Sequence, residues 1–302
     1  MLSVSAKTFS AQTKAALQKL DEQITKKQSE VSSGKKKLGL AQDAVEISKI
    51  NTARNTLTKL DMFSENIEST LTVLRSQDSA LTNIGSAFIK LKELALQAKT
   101  ATVTTEQMKA VSEEVKQIKL NIVHLANTKD QRGNAVFGGT MGSGDAFVLN
   151  KHNVVQYNGT TDIAEIAVSE NQSTPTHING SEVFMRMQST KGHESIFAIV
   201  EELESFLNSG NKDMDHVLNN LEFAHQQISN RNSQVGANIA TLTNKLTINN
   251  DNKLEVISSL SKLEDTDLAA VITEIKQLML TKNATQQIYA KISQQSLFDY
   301  IR

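Results

Sequence analysis

The chain has 302 residues, 39% of them hydrophobic, with 32 Lys plus Arg against 33 Asp plus Glu. That length and apolar content suffice for a buried core, while the balanced charge gives no global pull toward nucleic acid or an anionic membrane. Cysteine and tryptophan are absent and Pro175 is the only proline, which excludes disulfides and thiolate metal sites and leaves long helices uninterrupted.

From the N-terminus, Leu17, Ile24, Val31, Leu38 and Val45 recur at the seven-residue spacing of one helical seam. Gly34 and Gly39 in "SSGKKKLGL" interrupt it, so the pattern predicts a helix, a hinge and a second helix. Leu60, Ile67, Leu74, Leu81, Phe88 and Ala95 carry the spacing onward, flanked by Phe63, Leu71, Ile84 and Leu91, as a long amphipathic helix. After "KTATVTT", Met108, Val111, Val115, Ile118, Ile122 and Leu125 step by three and four. The short connection predicts that this helix runs antiparallel to the one before it.

The pattern changes at Gly133. Eight of the 13 glycines, the proline and the pairs Asn158-Gly159 and Asn179-Gly180 lie between 133 and 192. Asn-Gly flanked by apolar alternation is a hairpin signal. Val154, Val155 and Tyr157 before the first pair and Ile163, Ile166 and Val168 after it predict two strands joined there. Helical spacing returns with Ile196, Val200, Leu203 and Phe206, then Met214, Leu221, Ile228, Val235 and Leu242, with Val256 and Leu263 on the same register. The closing stretch "KISQQSLFDYIR" places Leu297, Phe298, Tyr300 and Ile301 on a last turn, in line with Ile288 and Ile292.

The predicted fold is mainly α: a long antiparallel helical bundle whose N- and C-terminal helices pair as a coiled coil, plus a small β-rich inserted domain. The expected division is 1–44 with 268–302 as the terminal coiled coil, 45–133 with 194–267 as the helical bundle, and 134–193 as the outer insert. The helical seams are expected to close without that insert. The apolar positions Leu17, Ile24, Val31, Leu38, Ile288, Ile292, Leu297, Phe298, Tyr300 and Ile301 are the candidate assembly interface, because a terminal helix with one apolar stripe is marginal alone and gains stability by packing.

Catalytic and cofactor motifs are missing. "FGGTMGSGD" at 137–145 lacks the Lys-Ser or Lys-Thr and the following helix of a phosphate loop and reads as turns. The six histidines contain no i, i+4 pair. "LEDTDLA" at 263–269 lacks the glycine-centred loop of a calcium site and reads as a bend or capped helix start. The N-terminus shows no charged and apolar secretion signal, and no apolar run reaches the length of a membrane span. The expectation is therefore no enzyme, no cofactor or metal, no nucleic acid and no membrane.

Four stretches together resemble bacterial flagellins and their hook-associated relatives. They are "SSGKKKLGLAQDAVEISKINTARNTL", "ALTNIGSAFIKLKELALQAKTATVTTEQ", "RNSQVGANIATL" at 231–242 and "LEDTDLAAVITEI", which cover residues 1–140 and 213–302 of the pattern. Within the family, "NTKDQRGNAVFGGT" ahead of "VVQYNGTTD", and the ending "AKISQQSLFDYI", are similar to the members at the junction of hook and filament. Gln42-Asp43-Ala44 departs from the family's paired aspartates after the hinge. The resemblance implies a structural component of the bacterial flagellum that joins hook-associated protein on the hook side to the flagellin filament; a minor flagellin is the alternative. It also implies neighbouring copies of itself as partners, an export chaperone, and an extracellular location reached through the flagellar export channel without a cleaved signal peptide.

Overall fold

The computed structural model describes residues 2–39, 43–100, 103–151, 153–189 and 192–298, with side chains described for 8–39, 43–100, 103–151, 153–187 and 192–292. The chain separates into two compact units, residues 1–58 with 253–302 and residues 59–252.

In the first unit, α1 (Leu2–Ser33) lies antiparallel to α6 (Leu268–Phe298). The direction follows from the pairs Ser10 with Tyr289 (2.9 Å), Asp21 with Lys282 (2.5 Å) and Lys27 with Glu274 (2.7 Å). Ile24 and Val271 are buried in the seam, and Leu17, Leu20, Val31, Ile275 and Leu278 are half-buried along it. The expected hinge is present: Gly34 ends α1 at a φ of +70°, a conformation that costs glycine little. α2 (Ala44–Lys99) begins after Asp43, whose Oδ2 accepts the Gly39 N–H (2.8 Å). Val45, which shares the heptad spacing of α1, is 71% exposed at the start of α2, because the hinge rotates it off the seam. α5 (Asp215–Glu264) stops at the acidic stretch, and Asp267 Oδ1 accepts the Ala270 N–H (3.1 Å) at the start of α6, the capped start read from "LEDTDLA".

In the second unit, α2 and α5 run antiparallel, tied by Lys92 to Glu222 (2.5 Å) and by Lys99 to Asp215. α3 (Thr105–Ala126) opens on a capping box, Thr104 with Gln107, and packs against α4 (Ile196–Ser209), which Ser195 caps. Ile67, Leu74, Leu81, Ile84, Phe88 and Leu91 from α2 and Met108 and Ile122 from α3 are fully buried, as their periodicity predicts. The buried Lys119 ammonium pairs with Glu201 (3.1 Å) and donates to the Asn153 carbonyl (3.3 Å), joining α3 and α4 to the insert.

Among the described residues the insert holds three antiparallel strand pairs: β1 (Phe147–Leu149) with β2 (Val155–Tyr157), β3 (Glu165–Ser169) with β4 (Gln172–Pro175), and β5 (Met187–Ser189) with β6 (Gly192–Glu194). The predicted hairpin across Asn158-Gly159 is not formed. β2 pairs backward with β1, and β3 pairs forward with β4. The first hairpin turns at Asn150 and Asn153, where Asn150 Oδ1 accepts the Val154 N–H (3.0 Å) and Asn153 takes a φ of +61°. Asn179-Gly180 leads into a π-helical turn, Ser181–Met185.

The insert is not a detachable cap. Phe184 packs edge to face with Phe137 and Phe147, and Phe147 and Phe184 meet Phe197 of α4 at tilted angles, all at centroid distances of 5.0 to 6.3 Å. They belong to the same buried cluster as Ile67 to Leu242. Gln77 on α2, fully buried, donates to the Val136 (2.5 Å) and Ile178 (3.0 Å) carbonyls and accepts the Ile178 N–H (3.0 Å). These contacts argue against helical seams that close without the insert, since side chains of the insert share the buried cluster with the α2 stripe.

Candidate assembly surface

The hinge of the first unit is fixed by charge and backbone bonds together. Glu264, at the end of α5, is buried and its carboxylate receives Lys35 Nζ (2.8 Å) on one oxygen and Arg54 Nη2 (2.5 Å) on the other. The Lys35 hydrogen bond, with Arg54 behind it, holds this carboxyl below its ordinary value. Lys36 N–H donates to the Glu264 carbonyl (2.8 Å), Thr266 N–H to the Gly34 carbonyl (3.0 Å), and Lys37 N–H to Glu30 Oε1 (3.3 Å). The basic "GKKKL" and the acidic "LEDTD" are thus the two halves of one clamp. Sequence reading found both segments but assigned them no mutual contact, since spacing alone does not show that residues more than 200 apart meet.

This clamp sets the start of the α1–α6 pair and so decides which apolar side chains that pair covers. Of the candidate interface residues, Ile24 is buried and Leu17, Val31 and Leu38 are half-buried, so they serve chiefly inside the unit. Ile288 and Ile292 are 56% and 40% exposed. Leu297 and Phe298 lie on the last turn of α6, their side chains outside the described ones, and Tyr300 and Ile301 lie outside the described residues.

The structure adds positions that sequence reading passed over. Leu268, Ile272 and Met279 are exposed and, at i, i+4 and i+11, lie on one face of α6; Leu280 is 72% exposed beside them. Leu254 and Ile257 are exposed one turn apart on α5. The signal was available: Ile272 and Met279 each follow a seam residue, Val271 and Leu278, and two adjacent apolar heptad positions make a stripe wider than one partner helix covers. Exposed apolar side chains aligned on one helix face are a candidate interaction surface.

No group of three or more His, Asp or Glu side chains among the described residues is arranged to hold a metal, and no helix there is long and apolar enough to cross a membrane. His177 is buried, its Nδ1 bonded to Thr176 Oγ1 (2.7 Å), and desolvation lowers its pKa. Burial pushes the Tyr157 phenol up to about 12, with its hydroxyl donating to the carbonyls of Phe137 (3.1 Å) and Thr160 (2.9 Å). Both groups are structural within the insert.

Residues 4–141 match the bacterial flagellin N-terminal helical region. A flagellin of Listeria innocua is 22% identical over 288 residues, which cover 95% of this chain and 94% of that protein. Among solved structures, flagellar hook associated protein-3 from Legionella pneumophila has a similar fold, with a TM-score of 0.66 at 17% identity over 71% of this chain and 98% of that one. The flagellar junction protein FlgL from the same organism gives a TM-score of 0.61 at 16% identity, over 72% of this chain and 100% of that one.

Proposed function

We infer that this chain, flagellin-like in its N-terminal sequence and hook-associated in its fold, is a structural component of the bacterial flagellum that joins hook-associated protein to the flagellin filament. The observation that carries the reading is the fold it shares with the Legionella hook-associated and junction proteins across nearly their whole length. The exposed apolar face of the first unit supports it. A lone soluble subunit has no use for Leu268, Ile272, Met279 and Leu280 in water, whereas subunits stacked side by side remove them from it.

The mechanism is geometric. The α1–α6 pair covers one apolar stripe internally and leaves the second for neighbouring copies, while one face of the subunit meets hook-associated protein and the opposite face meets flagellin. Delivery through the flagellar export channel, with an export chaperone holding the exposed apolar face beforehand, accords with the missing cysteine and the few bulky aromatics.

A second reading, a minor flagellin forming the filament, is favoured by the Listeria flagellin match. Immunogold labelling of hook-basal bodies with attached filaments decides between them. A band confined to the hook–filament boundary is expected; label along the filament would overturn the junction assignment in favour of the flagellin.

A further inference from the structure

The two Asn-Gly pairs, unused as hairpin turns, are held in opposite ways. Asn179 is buried; its Oδ1 accepts the Ser181 N–H (2.8 Å) and its Nδ2 donates to the Thr160 carbonyl (3.1 Å). The N–H of Gly180, the nitrogen next to it, is engaged by the Phe137 carbonyl (3.1 Å). Asn158 is exposed, and among the described residues neither its side chain nor the Gly159 N–H has a hydrogen-bond partner. Gly159 cannot be traded for a shielding residue, because a Cβ there would lie 2.5 Å from the Tyr157 ring and hydroxyl and 2.8 Å from the Gly138 carbonyl oxygen.

We propose that Asn158-Gly159 is a self-modification site, where the side-chain amide converts to aspartyl and isoaspartyl forms, and that Asn179-Gly180 is locked out of the same reaction by its hydrogen bonds. The Gly159 nitrogen gives its proton to hydroxide and attacks Asn158 Cγ. A C–N bond forms and closes a five-membered imide, the Cγ–Nδ2 bond breaks, and the amide nitrogen leaves as ammonia with a proton from water. Water then opens the ring. Cleavage at Cγ yields aspartate on the ordinary backbone, and cleavage at the Asn158 carbonyl carbon yields the isoaspartyl link; no electrons are exchanged. At Asn179 the ring cannot close until the side chain drops two bonds and Gly180 leaves the Phe137 carbonyl, which requires local opening of a buried segment.

The modification has a defined structural consequence. It adds one negative charge to the insert, and the isoaspartyl form lengthens the backbone by one carbon between Tyr157 and Thr160. There the Thr160 N–H reaches the Gly138 carbonyl (3.0 Å) and the Tyr157 hydroxyl reaches the Thr160 carbonyl (2.9 Å). Ageing therefore loosens the contact between this loop and the Gly138 turn.

The test uses the full chain incubated in mildly alkaline buffer, native and in urea, followed by digestion with a Glu-specific protease. Cuts after Glu165 and Glu170 place the two asparagines on different peptides, and mass spectrometry with electron-based fragmentation identifies aspartyl and isoaspartyl products. In the native protein Asn158 is expected to convert at least about tenfold faster than Asn179, the two becoming comparable in urea as protection is lost. Asn158→Gln should abolish the fast product. Equal native rates, or a native Asn158 that stays intact while it converts in urea, would overturn the proposal.

Discussion

Replacing Gln77 by leucine is expected to destabilise the unit of residues 59–252 by roughly 3–5 kcal/mol, although leucine nearly matches its volume and suits a helix. Gln77 is fully buried and supplies the hydrogen-bond partner of the Val136 carbonyl, the Ile178 carbonyl and the Ile178 N–H. Leucine orphans all three, and each buried unsatisfied group costs about 1–3 kcal/mol. The lower part of the resulting range applies because Val136 also borders a groove of about 560 Å³, with Ala135 and His177, through which water can reach part of the break. Urea unfolding followed by far-UV circular dichroism reads the change; with a slope near 2 kcal/mol per molar, the midpoint of this unit should fall by about 2 M. Asn66→Ala is the control, since it removes one bond from an exposed side chain to the Ala167 carbonyl (2.8 Å) and should cost about 1 kcal/mol or less. A Gln77→Leu protein within about 1 kcal/mol of the parent would refute the reasoning, by showing that the insert is not fastened to α2 through these bonds.

Excising residues 134–193 behind a short Gly-Ser linker should abolish cooperative unfolding of the second unit, checked by calorimetry, because Phe137, Phe147 and Phe184 leave its core. Burial holds the His177 pKa below its ordinary 6.5, so the unfolded chain protonates first. The stability this residue contributes is then complete above pH 6.5 and declines as pH falls through that value, with Glu65, Asp130 and Arg132 lining the same groove. His177→Gln should flatten that part of a midpoint-against-pH curve. Glu264 runs on a lower scale: its depressed carboxyl stabilises the hinge above about 4.5 and loses that effect as pH falls through the folded value. Glu264→Gln should speed tryptic cleavage at Lys35 to Lys37 at neutral pH. The double variant Ile272→Ser, Met279→Ser should leave the monomer's thermal midpoint within a few degrees of the parent but prevent stable incorporation into flagella, scored by motility and electron microscopy.

Periodicity made the helices legible because each buries a stripe against another helix: Ile67 to Phe88, Met108 to Ile122 and Ile196 to Leu203 lie buried at the spacing they advertise. The same rule misplaces Val45, where a hinge resets the rotation of the stripe without changing the residue count. Asn158-Gly159 misled for a different reason. An Asn-Gly pair reports local turn preference, but pairing partners are chosen by burial, and Phe147 brings β1 beside β2 by packing its ring on Tyr157 at 5.1 Å. Gln77 was invisible because a polar residue on an apolar face looks like an interruption until the backbone groups opposite it are known.

The assembly surface shows the same division between what spacing can and cannot convey. Leu17, Ile24 and Val31 state that α1 has a partner, and Val271, Ile275 and Leu278 supply it. What spacing omits is the width of the partner's coverage. α6 carries apolar residues on two adjacent heptad lines, and an antiparallel two-helix pair covers one of them. Each fully covered Leu, Ile or Met is worth about 1.5–3 kcal/mol, and the half-covered seam of α1 and α6 collects only part of that. Leaving Leu268, Ile272 and Met279 exposed therefore keeps the pair modestly stable by itself, and a neighbour that covered them, as the proposed assembly requires, would stabilise it. The proposed assembly would draw on that inequality, and moving those residues into the seam would remove it.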